Sequence, residues 1–204
     1  MNTATEDYLT EEEEQVLLRI SRNTLVSWVR RGEIPALEQY PLTPVLREKH
    51  AAFVTLRKHD QLRGCVGYTA NIEPLAKTVQ ENTMNAATRD TRFLPVDAGE
   101  LDEITIEISA LTPGDTPETP FKEIHDHNDI VIGRDGLYIS KPGTRGGLLL
   151  PQVPVEQRWG VPEFLTAVCR KAGYPDHAWQ EPSVKLCRFS AQVFSERGGR
   201  DPVS

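Results

Sequence analysis

Cysteine is scarce in this chain: three among 204 residues, at positions 65, 169 and 187. An odd number spaced so widely makes neither a disulfide framework nor the paired spacing of a zinc site. Without clustered cysteines there is also nothing to ligate an iron–sulfur cluster. Long apolar runs are missing too, none approaching the roughly 18 residues that would suggest a membrane span. Basic residues are outnumbered, 23 Lys and Arg against 30 Asp and Glu, for a formal charge of −7. That balance argues against general nucleic-acid binding, which depends on cations neutralising phosphates. Met1 to Glu14 is acidic and lacks the basic and apolar stretches of a signal peptide. The chain contains no internal repeat. The expectation is a cytoplasmic protein with no metal, no cofactor and no membrane or nucleic-acid partner.

What is present is enough for a core. Hydrophobic residues make up 38% and charged residues 26%, and the length suits one large domain or two closely packed subdomains. Thr10 followed by Glu13 is a capping box, and Leu17, Ile20, Thr24 and Trp28 recur at helical spacing, so a helix is expected from Thr10 to about Arg31, ended by Gly32. Ala51 to Leu56 and Leu62 to Tyr68 read as a β-hairpin around the polar Lys58-His59-Asp60-Gln61. Asn71 and Pro74 open a second helix running to about Arg89. Ile104, Ile106 and Ile108 alternate with Thr105, Glu107 and Ser109, the pattern of a half-buried strand. Asp129 to Gly133 and Gly136 to Ser140 read as two strands of a hairpin. Leu148 to Val153 reads as a buried strand with Gln152 at its end. A helix carrying Phe164, Leu165 and Val168 follows, and Val184 to Glu196 reads as one last strand.

The second arm of the first hairpin, Leu62-Arg63-Gly64-Cys65-Val66-Gly67-Tyr68, carries the chemistry. Alternate side chains along a strand share a face, so Arg63 and Cys65 are expected side by side with Gly67 next. A guanidinium beside a thiol favours the thiolate, the reactive form of cysteine. Against this stands the plain reading, in which Cys65 is a small buried hydrophobe. Asp90 and Arg92 read either as an ion pair fixing a loop or as groups that orient a polar ligand. Glu107 and Ser109 form either a solvent-facing row or the wall of a cleft. His125-Asp126-His127 has the spacing of a metal pair on a strand, but no third ligand stands nearby, so no metal is expected.

Several of these stretches together resemble one family. Phe53-Val54-Thr55-Leu56 with Leu62-Arg63-Gly64-Cys65-Val66-Gly67 is similar to the signature of the AMMECR-type domain, also called AmmeMemoRadiSam system protein A. Ala86-Ala87 with Asp90-Thr91-Arg92-Phe93, the acidic strand ending at Ser109-Ala110-Leu111-Thr112-Pro113, Gly133-Arg134-Asp135-Gly136-Leu137 and Leu149-Leu150-Pro151-Gln152-Val153 resemble further motifs of that family, in order, over about residues 14 to 196. The resemblance implies an α+β fold of two packed subdomains with mixed or antiparallel sheets and flanking helices, spanning residues 8–196, with flexible tails at 1–7 and 197–204. It implies a family without an established activity, and partnership with a Memo-like protein and a radical S-adenosylmethionine protein.

Two functions are therefore expected to compete. One is an enzyme, or the substrate-binding component of a tailoring system, with Cys65 as nucleophile or carrier and Arg63 as its charge partner. In that reading Gly64, Gly67, Asp90, Arg92, Glu107, Ser109 and Gln152 bind or orient the ligand in a cleft. The other is a non-catalytic interaction or adaptor module that uses the same groove.

Overall fold

Helix α1 (Glu11–Arg31) begins at the capping box. The Glu13 amide donates to Thr10 Oγ1 at 3.3 Å and the Thr10 amide to the Glu13 carboxylate at 2.8 Å. Gly32 closes it in the left-handed conformation, φ 68°, where a residue without Cβ is favoured. The structure, a computed structural model, describes residues 8–114 and 116–196. The tails expected at 1–7 and 197–204 lie outside the described residues.

The chain divides into two compact units, one of residues 8–111 with 192–196 and one of 112–191. In the first, strands β1 (Ala52–Lys58), β2 (Gln61–Gly67) and β3 (Ile104–Leu111) join β8 (Ala191–Ser195) in the order β2-β1-β3-β8, with β1 antiparallel to both neighbours. His59 and Asp60 join β1 to β2 with φ of 49° and 62°. Two successive left-handed residues match the twist of a tight hairpin. Val54 and Leu56 of β1 and Ile106 and Ile108 of β3 point into a core shared with Leu17, Ile20 and Leu25 of α1 and with Leu75, Val79 and Ala86 of α3 (Leu75–Thr88). Each of the Val, Leu and Ile side chains contributes about 1.5–3 kcal/mol relative to exposure. A short helix α2 (Pro44–Arg47) precedes β1. Two polar ties link α1 to α3 among the described residues, Ser21 to Thr83 at 2.7 Å in the core and Trp28 Nε1 donating to Thr88 Oγ1 at 3.4 Å.

In the second unit β4 (Lys122–Glu123), β5 (Gly136–Ser140), β6 (Gly147–Leu149) and β7 (Lys185–Phe189) form an antiparallel sheet, order β4-β7-β5-β6. Helix α5 (Val161–Lys171) covers it, packing Phe164, Leu165, Val168 and Cys169 against Leu137, Ile139 and Leu186.

Four local expectations are corrected. Asn71 does not cap α3; its Oδ1 accepts the Ala51 amide at 2.8 Å, and Pro74 stands before the helix. Asp129 to Gly133 is a turn rather than a strand, because the buried Asp135 carboxylate takes the Val131 amide at 2.8 Å and curls the segment back on itself. Gln152 opens a short helix, α4 (Gln152–Glu156), since β6 ends at Leu149 and Pro151 turns the chain. The last strand breaks at Ser190 into β7 and β8, which belong to different sheets. The Ser190 carbonyl accepts from the Thr112 amide at 2.9 Å and from its hydroxyl at 3.2 Å.

Candidate functional site

Strand β2 lies at the edge of its sheet. Its register with β1 runs Thr55↔Cys65 and Leu56↔Gly64, then jumps to Arg57↔Leu62. Arg63 is the extra residue of a β-bulge, and a bulge re-aims the side chain it carries. Period-two alternation therefore fails at this position. Arg63 turns to Glu100, donating through Nε at 3.1 Å and Nη2 at 2.8 Å. It also donates to the carbonyls of Leu94 at 2.9 Å and Pro95 at 3.3 Å. The expected partnership with the Cys65 thiol is not formed. Arg63 instead clamps the loop that leads from α3 to β3. Charge-assisted hydrogen bonds of this kind contribute roughly 1.5–3 kcal/mol each.

Asp90 and Arg92 work on the open edge. An unpaired strand edge exposes amides and carbonyls that seek partners. The Cys65 amide donates to Asp90 Oδ2 at 2.8 Å, and Arg92 Nη2 donates to the Cys65 carbonyl at 3.3 Å. The two side chains are themselves paired, Arg92 Nη2 to Asp90 Oδ2 at 2.7 Å and Nε to Oδ1 at 2.9 Å. One carboxylate and one guanidinium thus satisfy both backbone groups of one residue, as a neighbouring strand would. The Arg92 bonds hold the Asp90 carboxyl down to about 2. Glu100 is also held down to about 2, first by Arg63 and further by the Asp97 amide and Lys58.

The thiol has a different environment from the one its sequence neighbours suggest. Cys65 Sγ accepts from Thr55 Oγ1 at 3.4 Å across the β1–β2 pair. Burial pushes the thiol up; the Thr55 bond and the Arg92 charge oppose this, while the Asp90 and Glu107 carboxylates reinforce it. At neutral pH the group is a thiol. Cys169 and Cys187 are buried and unbridged.

The two glycines of the motif have separate reasons. A Cβ on Gly64 would stand 2.2 Å from the Ala86 carbonyl oxygen, so Gly64 lets α3 lie backbone to backbone on β2. A Cβ on Gly67 would meet the Phe53 ring at 2.2 Å. Both are close approaches that only glycine permits.

Arg63, Gly64, Cys65, Gly67, Asp90 and Arg92 gather along β2, and Glu107 and Ser109 stand on β3 of the same sheet. Thr55 has Cys65 on one side and Glu107 on the other. Glu107 and Ser109 are buried, 6% and 1% exposed, so they are not a solvent-facing row. Arg57 Nε donates to Glu107 at 3.4 Å. Gln152 belongs to the second unit, at the start of α4. His127 packs its ring against Trp179, and among the described residues no group of three or more His, Cys, Asp or Glu side chains could hold a metal.

Three participants escape the sequence reading. Glu100 was findable, because Asp97-Ala98-Gly99-Glu100 has the spacing of a capping box, and Asp97 does accept the Gly99 amide at 2.8 Å. Thr55 as thiol partner depends on the hairpin register. Leu94 stands 83% exposed, on a loop whose carbonyls Arg63 holds, and nothing in its local sequence marks it.

The fold and this site define an α+β protein in which Arg63, Gly64, Cys65, Gly67, Asp90 and Arg92 meet at one closed strand edge, while the motifs around Gly136 and Gln152 belong to the second unit. The chain belongs to the AMMECR1 family, whose pattern matches residues 18–194. It is similar to a protein of Methanopyrus kandleri, 42% identical over 203 residues covering 96% of this chain and 94% of that one. A protein of Thermococcus gammatolerans is 43% identical over 195 residues, covering 93% of each. The crystal structure of an uncharacterized protein from Pyrococcus horikoshii aligns with a TM-score of 0.85 at 34% identity, covering 95% of this chain and 96% of that one. No described helix is long and apolar enough to cross a membrane.

Proposed function

We propose that this protein is a cytoplasmic recognition module, a non-catalytic adaptor or binding component, rather than an enzyme with Cys65 as nucleophile. The observation that carries this reading is the use to which the motif's polar groups are put. Arg63 spends its bonds on Glu100 and two loop carbonyls, Asp90 and Arg92 spend theirs on each other and on the Cys65 backbone, and partial burial favours the neutral, poorly nucleophilic form of Cys65. A nucleophilic cysteine needs a base or a cation that lowers its pKa. What the clamped loop offers to solvent instead is a large apolar side chain, Leu94, on restrained backbone, which suits recognition. The family resemblance makes a Memo-like protein and a radical S-adenosylmethionine protein the first partners to examine.

Site-resolved alkylation of the folded protein tests this. With iodoacetamide at pH 7.5, Cys65 is expected to react at least tenfold more slowly than a free thiol, with its rate still rising above pH 9. Fast modification of Cys65 at neutral pH, slowed by Arg92→Ala, would return the enzyme reading.

A further inference from the structure

Along the β2 edge, the apolar exposure and the uncommitted positive charge occur together. Leu94 is 83% exposed and Leu62 is 38% exposed. Leu62 precedes Arg63 on β2, and the Leu94 carbonyl is bonded to that same Arg63. Phe93 lies beneath two guanidinium groups, its ring centre 6.0 Å from Arg63 and 5.5 Å from Arg92. Arg92 is 49% exposed, and its Nη1 makes no hydrogen bond among the described residues. Arg89, one residue before Asp90, is exposed and forms no ion pair among the described residues; its charge acts on Tyr68, just past the end of β2, whose hydroxyl donates to Glu81 at 2.9 Å. This occurs on a chain whose net charge is −7.

We infer that this strip is a docking surface for a peptide segment of another protein in which acidic residues alternate with leucine-like side chains. This inference rests on the recognition reading above and names the class of partner. The charge complementarity is direct: among the described residues Arg89 has no ion-pair partner and Arg92 Nη1 lies outside the pair with Asp90, and arginine matches a carboxylate's two oxygens. The apolar side chains need an apolar partner, which excludes a plain polyanion. The backbone of Cys65 is already closed by Asp90 and Arg92, so the segment cannot add as a further strand there and must be read through its side chains. Pro95 restricts Leu94 to extended backbone and Arg63 holds the carbonyls of both Leu94 and Pro95, so little ordering remains to oppose binding.

Selection from a displayed library of random 12-residue peptides on the immobilised full chain provides the test, followed by fluorescence anisotropy with the selected peptides. The expected result is enrichment of Asp and Glu interleaved with Leu, Ile or Phe. Binding should weaken at least tenfold in Leu94→Asp and in Arg89→Glu, weaken less in Arg89→Lys, and fall as salt is raised. Both positions are exposed, and unchanged circular dichroism and thermal midpoints will show that the variants fold. No enrichment, enrichment of basic peptides, or binding indifferent to both substitutions overturns the inference. So does a single-stranded oligonucleotide that binds the strip as tightly as the peptides, or self-association of the wild type that Leu94→Asp abolishes. Fast alkylation of Cys65 bears only on the recognition reading, so the two failures are told apart.

Discussion

The carboxylate of Asp90 accepts the amide of Cys65, twenty-five residues earlier in the chain, at 2.8 Å. Arg92 completes the closure at the carbonyl of the same residue. The pair protects the strand edge at the point where the thiol projects.

Removing that acceptor should therefore be felt at one amide first. Asp90→Ala leaves the Cys65 amide and the Arg92 guanidinium without their partner and is expected to cost about 2–3 kcal/mol. Asp90→Asn keeps an oxygen for the amide and should cost less, roughly 1 kcal/mol. Urea denaturation gives the stability, and hydrogen exchange should show Cys65 losing protection before the rest of β2. Equal cost for the two variants would mean that the ion pair, rather than the amide bond, carries the effect.

The two glycines should respond differently to alanine. At Gly64 the added methyl meets the Ala86 carbonyl oxygen, and backbone cannot step aside. Overpacking of this kind costs at least about 1–3 kcal/mol. At Gly67 the first obstacle is the Phe53 ring, with the Ala52 carbonyl oxygen at 2.7 Å. Phe53→Leu should partly restore the thermal midpoint of Gly67→Ala. It should do nothing for Gly64→Ala.

Acid should loosen this region through the carboxylates. Asp90 and Glu100 are both held down to about 2 in the folded chain, below their ordinary values near 4. Depressed carboxyl pKa values contribute stability that is fully present above the ordinary range and lost as pH falls through about 4.5 toward 2. Thermal midpoints measured between pH 6 and 2 should fall across that window. Arg63→Met and Arg92→Met should each flatten the slope while lowering the neutral-pH midpoint.

His50 sets a second, milder pH dependence. It is 7% exposed, and its Nδ1 has no hydrogen-bond partner among the described residues. Burial lowers its pKa, with Glu48 opposing. The neutral ring is the folded form, so stability is fully present above about 6.5 and declines as pH falls below it. His50→Phe should abolish that part of the decline between pH 7 and 5.5 and leave the carboxylate window intact. A wild-type midpoint that rises on acidification over this range would reverse the assignment.

The first unit is largely legible in the sequence because its signals are local. Thr10 with Glu13 and Gly32 bound a helix on both sides, and the alternating Ile104, Ile106 and Ile108 mark β3. The misses share a different cause. Arg63 breaks alternation through a bulge, which depends on how two strands slide against each other rather than on either strand alone. The Asp129 to Gly133 run looks like a strand until Asp135 takes the Val131 amide. At Ser190 the hydrophobic alternation continues almost unbroken, so only the demands of two separate sheets divide it. Of the site, the motif residues along β2 were legible as a group. Their partners Glu100 and Thr55 were set by packing and register.

The division at Ser190 also orders events during synthesis. Strand β8 completes the sheet that contains β1, yet its residues 192–195 are translated after residues 112–191 of the second unit. Gln192 on β8 accepts the Leu9 amide at 3.1 Å and donates to the Leu9 carbonyl at 2.9 Å and to Glu14 at 2.6 Å. The Glu196 amide donates to the Ile106 carbonyl at 3.1 Å, and the Glu196 carboxylate pairs with Arg22. On the ribosome, the second unit can close while the first still lacks its last strand and the entry to α1 remains unfastened. A chain stalled or cut just before Gln192 would keep every motif along β2 but lack the strand that fastens Leu9 and Glu14 to the sheet.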